Sequence, residues 1–151
     1  MSFKIYLKNN YDNKLKNFTK NYLPKENGGL LFGRMNPSWV YIDKICDSPI
    51  IDKRTSRNII LNNDYLKRIT ELNIKNNLYI VGTWHSHPNN GCVPSSQDKK
   101  TMRLLKKYYP GNLNPIFCIS TIRNIELNYK FYTVNNNLNI ELIERVIKES
   151  N

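Results

Sequence analysis

Long hydrophobic runs are missing from this sequence. No stretch approaches the ~20 apolar residues that cross a bilayer, and the N-terminal Met-Ser-Phe-Lys-Ile-Tyr-Leu-Lys has no signal-peptide core. No membrane partner is expected, and the cytoplasm is the expected compartment. Cysteine is scarce: Cys46, Cys92 and Cys118 are odd in number, far apart and without a C-x-x-C pair. That argues against a disulfide framework and against a structural zinc site. Acidic residues are also in deficit, 12 against 23 Lys and Arg, for a net charge of +11. Such a balance permits polyanions or an acidic protein as partners. The cations are scattered, however, except for Lys99, Lys100, Arg103, Lys106 and Lys107 on one predicted helix. With Asn and Ile also abundant, the charge reads as a compositional habit, and no nucleic-acid partner is expected.

What is present suffices for one domain over residues 1–151. At 151 residues and 40% apolar content, the chain can bury a core without disulfide or metal staples. Phe3 to Leu7 reads as a first strand. Asp12 caps a predicted helix to about Tyr22, with Leu15, Phe18, Tyr22 and Leu23 on one face, and Pro24 ends it. Gly28 and Gly29 allow a tight turn into the apolar run Leu30-Leu31-Phe32. A second strand, Trp39 to Ile45, follows a turn at Asn36-Pro37. Ser48 to Arg54 reads as an exposed loop and Arg57 to Leu61 as a short strand. Asn63 or Asp64 caps a helix burying Tyr65, Leu66, Ile69 and Leu72. Further on, a helix from Ser96 to about Tyr109 carries Met102, Leu105 and Tyr109 on one face. Two strands, Ile116 to Thr121 and Ile125 to Tyr132, flank a turn at Arg123-Asn124. Leu138 to Lys148 reads as an amphipathic C-terminal helix.

The chemistry concentrates in residues 83 to 98, Thr-Trp-His-Ser-His-Pro-Asn-Asn-Gly-Cys-Val-Pro-Ser-Ser-Gln-Asp. His85 and His87 are the only histidines. They end the short apolar run Leu78 to Trp84, which reads as a buried strand. Residues two apart on a strand face the same side, so the two imidazoles make half of a metal site. Asp98 offers a third, hard ligand, and a His-His-Asp set leaves tetrahedral Zn2+ one open position, as in catalytic sites. The plainer reading is that the histidines are ordinary polar groups. Ser95 to Asp98 can likewise be a helix start, Ser95 as N-cap and Asp98 at N3 of a capping box. The two readings of Asp98 are compatible. Cys92, between His87 and Asp98, reads as a loop or core residue, with an oxidation-sensitive thiol or extra ligand as the alternative. Residues 89–94 are expected to cross the mouth of the site.

His85-x-His87, seven residues, Ser95, two residues and Asp98 together resemble the H-x-H-x7-S-x-x-D motif of the JAMM/MPN metalloprotease family. Pro88 and Pro94 fit as well. The family also uses an upstream Glu, and its setting resembles Glu26-Asn27-Gly28-Gly29-Leu30-Leu31-Phe32-Gly33. By itself, an acidic residue at a helix–strand junction reads as solvated surface; the resemblance alone makes Glu26 a catalytic candidate. It implies an α/β (α+β) domain, a curved mixed β-sheet flanked by about four helices, with a cytidine-deaminase-like architecture. It implies one Zn2+ on His85, His87 and Asp98, Glu26 as general acid–base and Ser95 as oxyanion donor. The implied reaction is peptide or isopeptide hydrolysis after the C-terminal glycine of a ubiquitin-like protein. The short domain and the Trp-His-Ser-His-Pro form resemble the prokaryotic branch, including deconjugases encoded beside E1/E2-like enzymes in CBASS-type antiphage operons. A sulfur-carrier precursor protease and a non-catalytic MPN scaffold are the alternatives.

Overall fold

The computed structural model describes residues 3–47, 51–54, 59–61, 67, 71, 77–88 and 91–149. Its centre is an eight-stranded mixed sheet. In chain order the elements are β1 (Lys4–Leu7), α1 (Tyr11–Lys20), β2 (Gly28–Asn36), β3 (Trp39–Ile45), β4 (Ile51–Arg54), β5 (Ile59–Leu61), β6 (Tyr79–Ser86), α2 (Ser96–Lys106), β7 (Ile116–Arg123), β8 (Glu126–Val134), β9 (Ile140–Ile143) and β10 (Val146–Lys148). The sheet order is β10-β1-β3-β2-β6-β7-β8-β9, and β4 and β5 form a separate hairpin. β6 and β7 run parallel, as do β1 with β3 and β1 with β10; the other pairs are antiparallel.

The two edge strands, β9 and β10, are separated in sequence only by Glu144 and Arg145. A flat eight-stranded sheet would hold its edges roughly 34 Å apart at about 4.8 Å per strand. The chain from Ile143 to Val146 spans at most about 11 Å. The sheet therefore curls until its edges nearly meet, and the domain is a mostly closed, barrel-like sheet.

Two helices have described bounds, and they lie on opposite faces. α1 buries Tyr11, Leu15 and Thr19 at four-residue steps. Phe18 stacks on Trp84 at 5.9 Å between centroids, and Thr19 shares a 2.8 Å hydrogen bond with Ser120. A ten-residue helix is marginal alone in water, so this packing is what holds it. α2 sets Met102 and Leu105 against Phe117, Ile119, Tyr132 and Val134 on the other face.

Several expectations are corrected. The predicted C-terminal helix over Leu138 to Lys148 is the strand pair β9 and β10. Its Ile140, Ile143, Val146 and Ile147 are β-branched and suited to strands, and pairing with β8 and β1 closes the sheet. Two helices have bounds among the described residues; of the other two expected, this one is a strand pair and the second lies outside the described residues. Part of the loop predicted over Ser48 to Arg54 is strand β4. α1 starts from Asn10 rather than Asp12 and stops at Lys20, leaving Leu23 exposed. Gly28 and Gly29 lie inside β2 rather than in a turn; a Cβ on Gly29 would collide with the Cys46 carbonyl of the neighbouring strand end. The helix expected after Asn63 or Asp64 lies outside the described residues, apart from Lys67 and Glu71.

Candidate metal centre

Strand alternation divides the end of β6 between two jobs. Trp84 and Ser86 face α1, where the Trp84 indole donates to the Cys46 carbonyl at 2.8 Å. His85 and His87 face the side of α2. β7 continues the frame beyond the strand end, since the His87 amide donates to the Ser120 carbonyl at 2.8 Å. β2 pairs antiparallel with β6, Gly28 opposite His85. That register continued by two residues brings Glu26 level with His87.

Asn27 and Ser86 lock this register from the buried face. The Asn27 amide donates to Ser86 Oγ at 2.8 Å, and the Ser86 amide donates to the Asn27 carbonyl at 2.9 Å. The Asn27 side chain also donates to the Phe18 carbonyl of α1 at 2.8 Å. Both residues are fully buried. Neither figured among the candidate site residues, yet they carry a legible signal: a polar residue at an inward position of an apolar strand requires a partner.

Asp98 arrives from α2. Ser95 Oγ accepts from the Asp98 amide at 3.0 Å, and Asp98 Oδ2 accepts from the Ser95 amide at 2.8 Å, a complete capping box. The same Oδ2 lies 3.0 Å from His87 Nε2 and 3.2 Å from His85 Nε2, and the two imidazole nitrogens are 3.0 Å apart. Asp98 is thus helix cap and site residue at once. Glu26 adds a carboxylate oxygen within 4.8 Å of both imidazoles, and is only 5% exposed, against the solvated position expected of a junction residue.

His87 Nδ1 faces the Gly91 carbonyl at 3.3 Å. A carbonyl can only accept, so Nδ1 carries the proton and Nε2 turns its lone pair inward. Three ligand-type atoms then meet at 3.0–3.2 Å, close enough that a cation or shared protons must lie between them. Donors held tetrahedrally at zinc-like bond lengths sit roughly 3.3 Å apart, so the triangle fits a single metal ion. Without an ion, the three groups share protons instead. Burial pushes Asp98 up, but the two imidazoles and the Ser95 amide outweigh it and hold its carboxyl well below the usual range. Burial lowers the affinity of His87 for protons, yet Asp98 and the Gly91 carbonyl more than restore it. Glu26 is raised from its ordinary 4.5, chiefly by burial and partly countered by the imidazoles.

A strand-end pair of imidazoles, a helix-cap carboxylate and a buried second carboxylate define a candidate mononuclear metal centre on a mixed-sheet domain. The chain belongs to the prokaryotic homologs of the JAB domain, whose family profile matches residues 13–128. That family includes metalloproteases. The chain is similar throughout its length to a protein of Desulfitobacterium hafniense solved in solution, with TM-score 0.72 and 19% identity, covering 97% of this chain and 94% of that one. It is likewise similar to a Salinibacter ruber protein, with TM-score 0.63 and 13% identity, covering 96% and 92%. These likenesses concern the fold. No curated protein matches the chain.

Proposed function

We propose that this chain is a zinc-dependent JAMM-type peptidase that cleaves after the C-terminal glycine of a ubiquitin-like protein. One observation carries the reading: Glu26 just before β2, His85 and His87 at the end of β6, and Asp98 in α2 converge on one small volume. His85, His87 and Asp98 hold the ion. When bound, zinc supplies a Lewis acid and makes hydroxide available near neutral pH, since coordination brings the pKa of water from 15.7 to about 7. Glu26 takes a proton from the attacking water and returns it to the departing amine, a role worth roughly 10²–10⁴ in rate. Ser95 serves as oxyanion donor. Its Oγ accepts from the Asp98 amide through a lone pair, which leaves the hydroxyl proton for another acceptor.

The pathway part of the proposal, deconjugation beside E1/E2-like enzymes in antiphage defence, rests on resemblance to the short prokaryotic branch. Processing of a sulfur-carrier precursor uses the same chemistry and is the second reading. A non-catalytic scaffold is disfavoured because all five motif positions are filled.

The test is a cleavage assay on ubiquitin-like proteins of the same genome, each fused through its terminal glycine to a reporter. Release is expected from one of them, abolished by a chelator, and reduced at least 10²-fold in a Glu26→Gln variant that keeps its zinc. Undiminished release by that variant would remove Glu26 from the chemistry. No release from any fusion by a zinc-loaded chain would overturn the substrate class.

A further inference from the structure

We infer that Tyr132 is a positioning residue for the metal centre, acting through the strap that joins the second histidine to α2. This role rests on the metal centre proposed above. The described residues of the strap, Gly91 to Pro94, lead directly into the capping residue Ser95. The strap governs two of the three ligands. At one end the Gly91 carbonyl faces His87 Nδ1; at the other, Ser95 orients Asp98.

Cys92 is where the strap is fastened to the sheet. Its carbonyl accepts a 2.6 Å hydrogen bond from the Tyr132 hydroxyl, and its thiol donates to the Asn128 carbonyl at 3.4 Å. Both partners stand on β8, and both Cys92 and Tyr132 are at most 8% exposed. The thiol sits in the apolar cluster with Met102, Phe117 and Ile119, so Cys92 acts as an anchor rather than as an extra ligand. The carbonyl held by Tyr132 is the immediate neighbour of the carbonyl that selects the His87 tautomer. With the Tyr132 hydroxyl gone, the Cys92–Val93 peptide is released, the backbone at Cys92 can shift, and the adjoining Gly91 carbonyl can leave His87. The imidazole then samples the tautomer whose Nε2 carries a proton and cannot ligate. Partners that orient a metal-ligating imidazole typically contribute 10–100-fold to metal affinity. One bond further out, about tenfold is expected.

Tyr132→Phe keeps the ring and its packing and removes only the hydroxyl. Thr133→Val is its control: the adjacent residue also buries a hydroxyl, donated to the Pro115 carbonyl at 2.8 Å and remote from the strap. Zinc affinity by chelator competition, and the His87 tautomer by nitrogen-15 NMR of the zinc-free chain, are the readouts; neither needs activity. The expected result is zinc binding weakened about tenfold and a mixed His87 tautomer in Tyr132→Phe, with both unchanged in Thr133→Val. Unchanged affinity and tautomer in Tyr132→Phe would overturn the role while leaving the metal centre intact. Equal weakening in both variants would reduce Tyr132 to general stability. A wild-type chain that binds no zinc would overturn the centre and this role with it.

Discussion

At the scale of single residues, Glu26 shows how the fold opposes one of its own side chains. Nothing about a Glu before a glycine pair marks it as buried, and only the family pattern singled it out. The structure encloses it, and burial holds its folded pKa above the ordinary 4.5. The fold therefore favours the neutral acid. The group's contribution to stability is full below the unfolded pKa and declines as pH rises through the folded one. Zinc-free Glu26→Gln is accordingly expected to melt above wild type at pH 8, with the gap closing towards pH 4; a gap independent of pH would remove the buried-carboxylate explanation. Stability gained where function is lost is a common trade at catalytic positions. That His85, His87 and Asp98 come together was legible because their spacing puts two side chains at a strand end and one at a helix start. Asn27 and Ser86 signalled only that each needs a partner; which partner they and Tyr132 find depends on which strands become neighbours.

At the scale of elements, local chemistry decided some boundaries and tertiary pairing decided others. β3 runs over Trp39–Ile45 as its alternation predicts, and α2 begins where Ser95 caps it. The last strands were misread because Ile140, Leu142, Ile143, Val146 and Ile147 satisfy helical and extended spacing alike in so short a run. Edge pairing settles the matter. The β7–β8 hairpin carries a local conflict of the opposite kind. Asn124 and Ile125 both have positive φ, 50° and 62°, as a two-residue type I′ turn requires. Asn tolerates this; a β-branched Ile does not. Ile125 is 79% exposed, so little burial is lost by replacing it. Ile125→Gly is expected to stabilise the chain by about 1 kcal/mol, read as a higher denaturation midpoint with an unchanged slope. A lower midpoint would mean that the Ile side chain contributes packing that outweighs the strain.

At the scale of the whole molecule, sheet closure links the C-terminal residues to the site. β10 covers β1, β1 covers β3, and β3 supports β2, the strand that follows Glu26. Lys148 and Tyr129 both reach Asp12 at 2.6 Å, tying β10 and β8 to α1. Removing residues 144–151 strips the β10–β1 pairing and the Lys148–Asp12 pair while leaving Tyr129–Asp12, and bares the β1 edge, a template for pairing between chains. A lower melting temperature and concentration-dependent self-association are expected by calorimetry and light scattering. A truncated chain that stays monomeric and equally stable would show that closure contributes nothing. The nearly closed sheet fixes where the candidate ligands begin: His85 and His87 stand at the end of β6, between its neighbours β2 and β7.

The zinc-edge anomalous diffraction of a zinc-loaded crystal tests the central assignment most directly, because it distinguishes the two carboxylates. One ion is expected, ligated by His85 Nε2, His87 Nε2 and an Asp98 oxygen at roughly 2.0–2.2 Å, with the Glu26 carboxylate outside bonding distance. An ion ligated by Glu26 in place of Asp98, or no ion among these four residues, would contradict it.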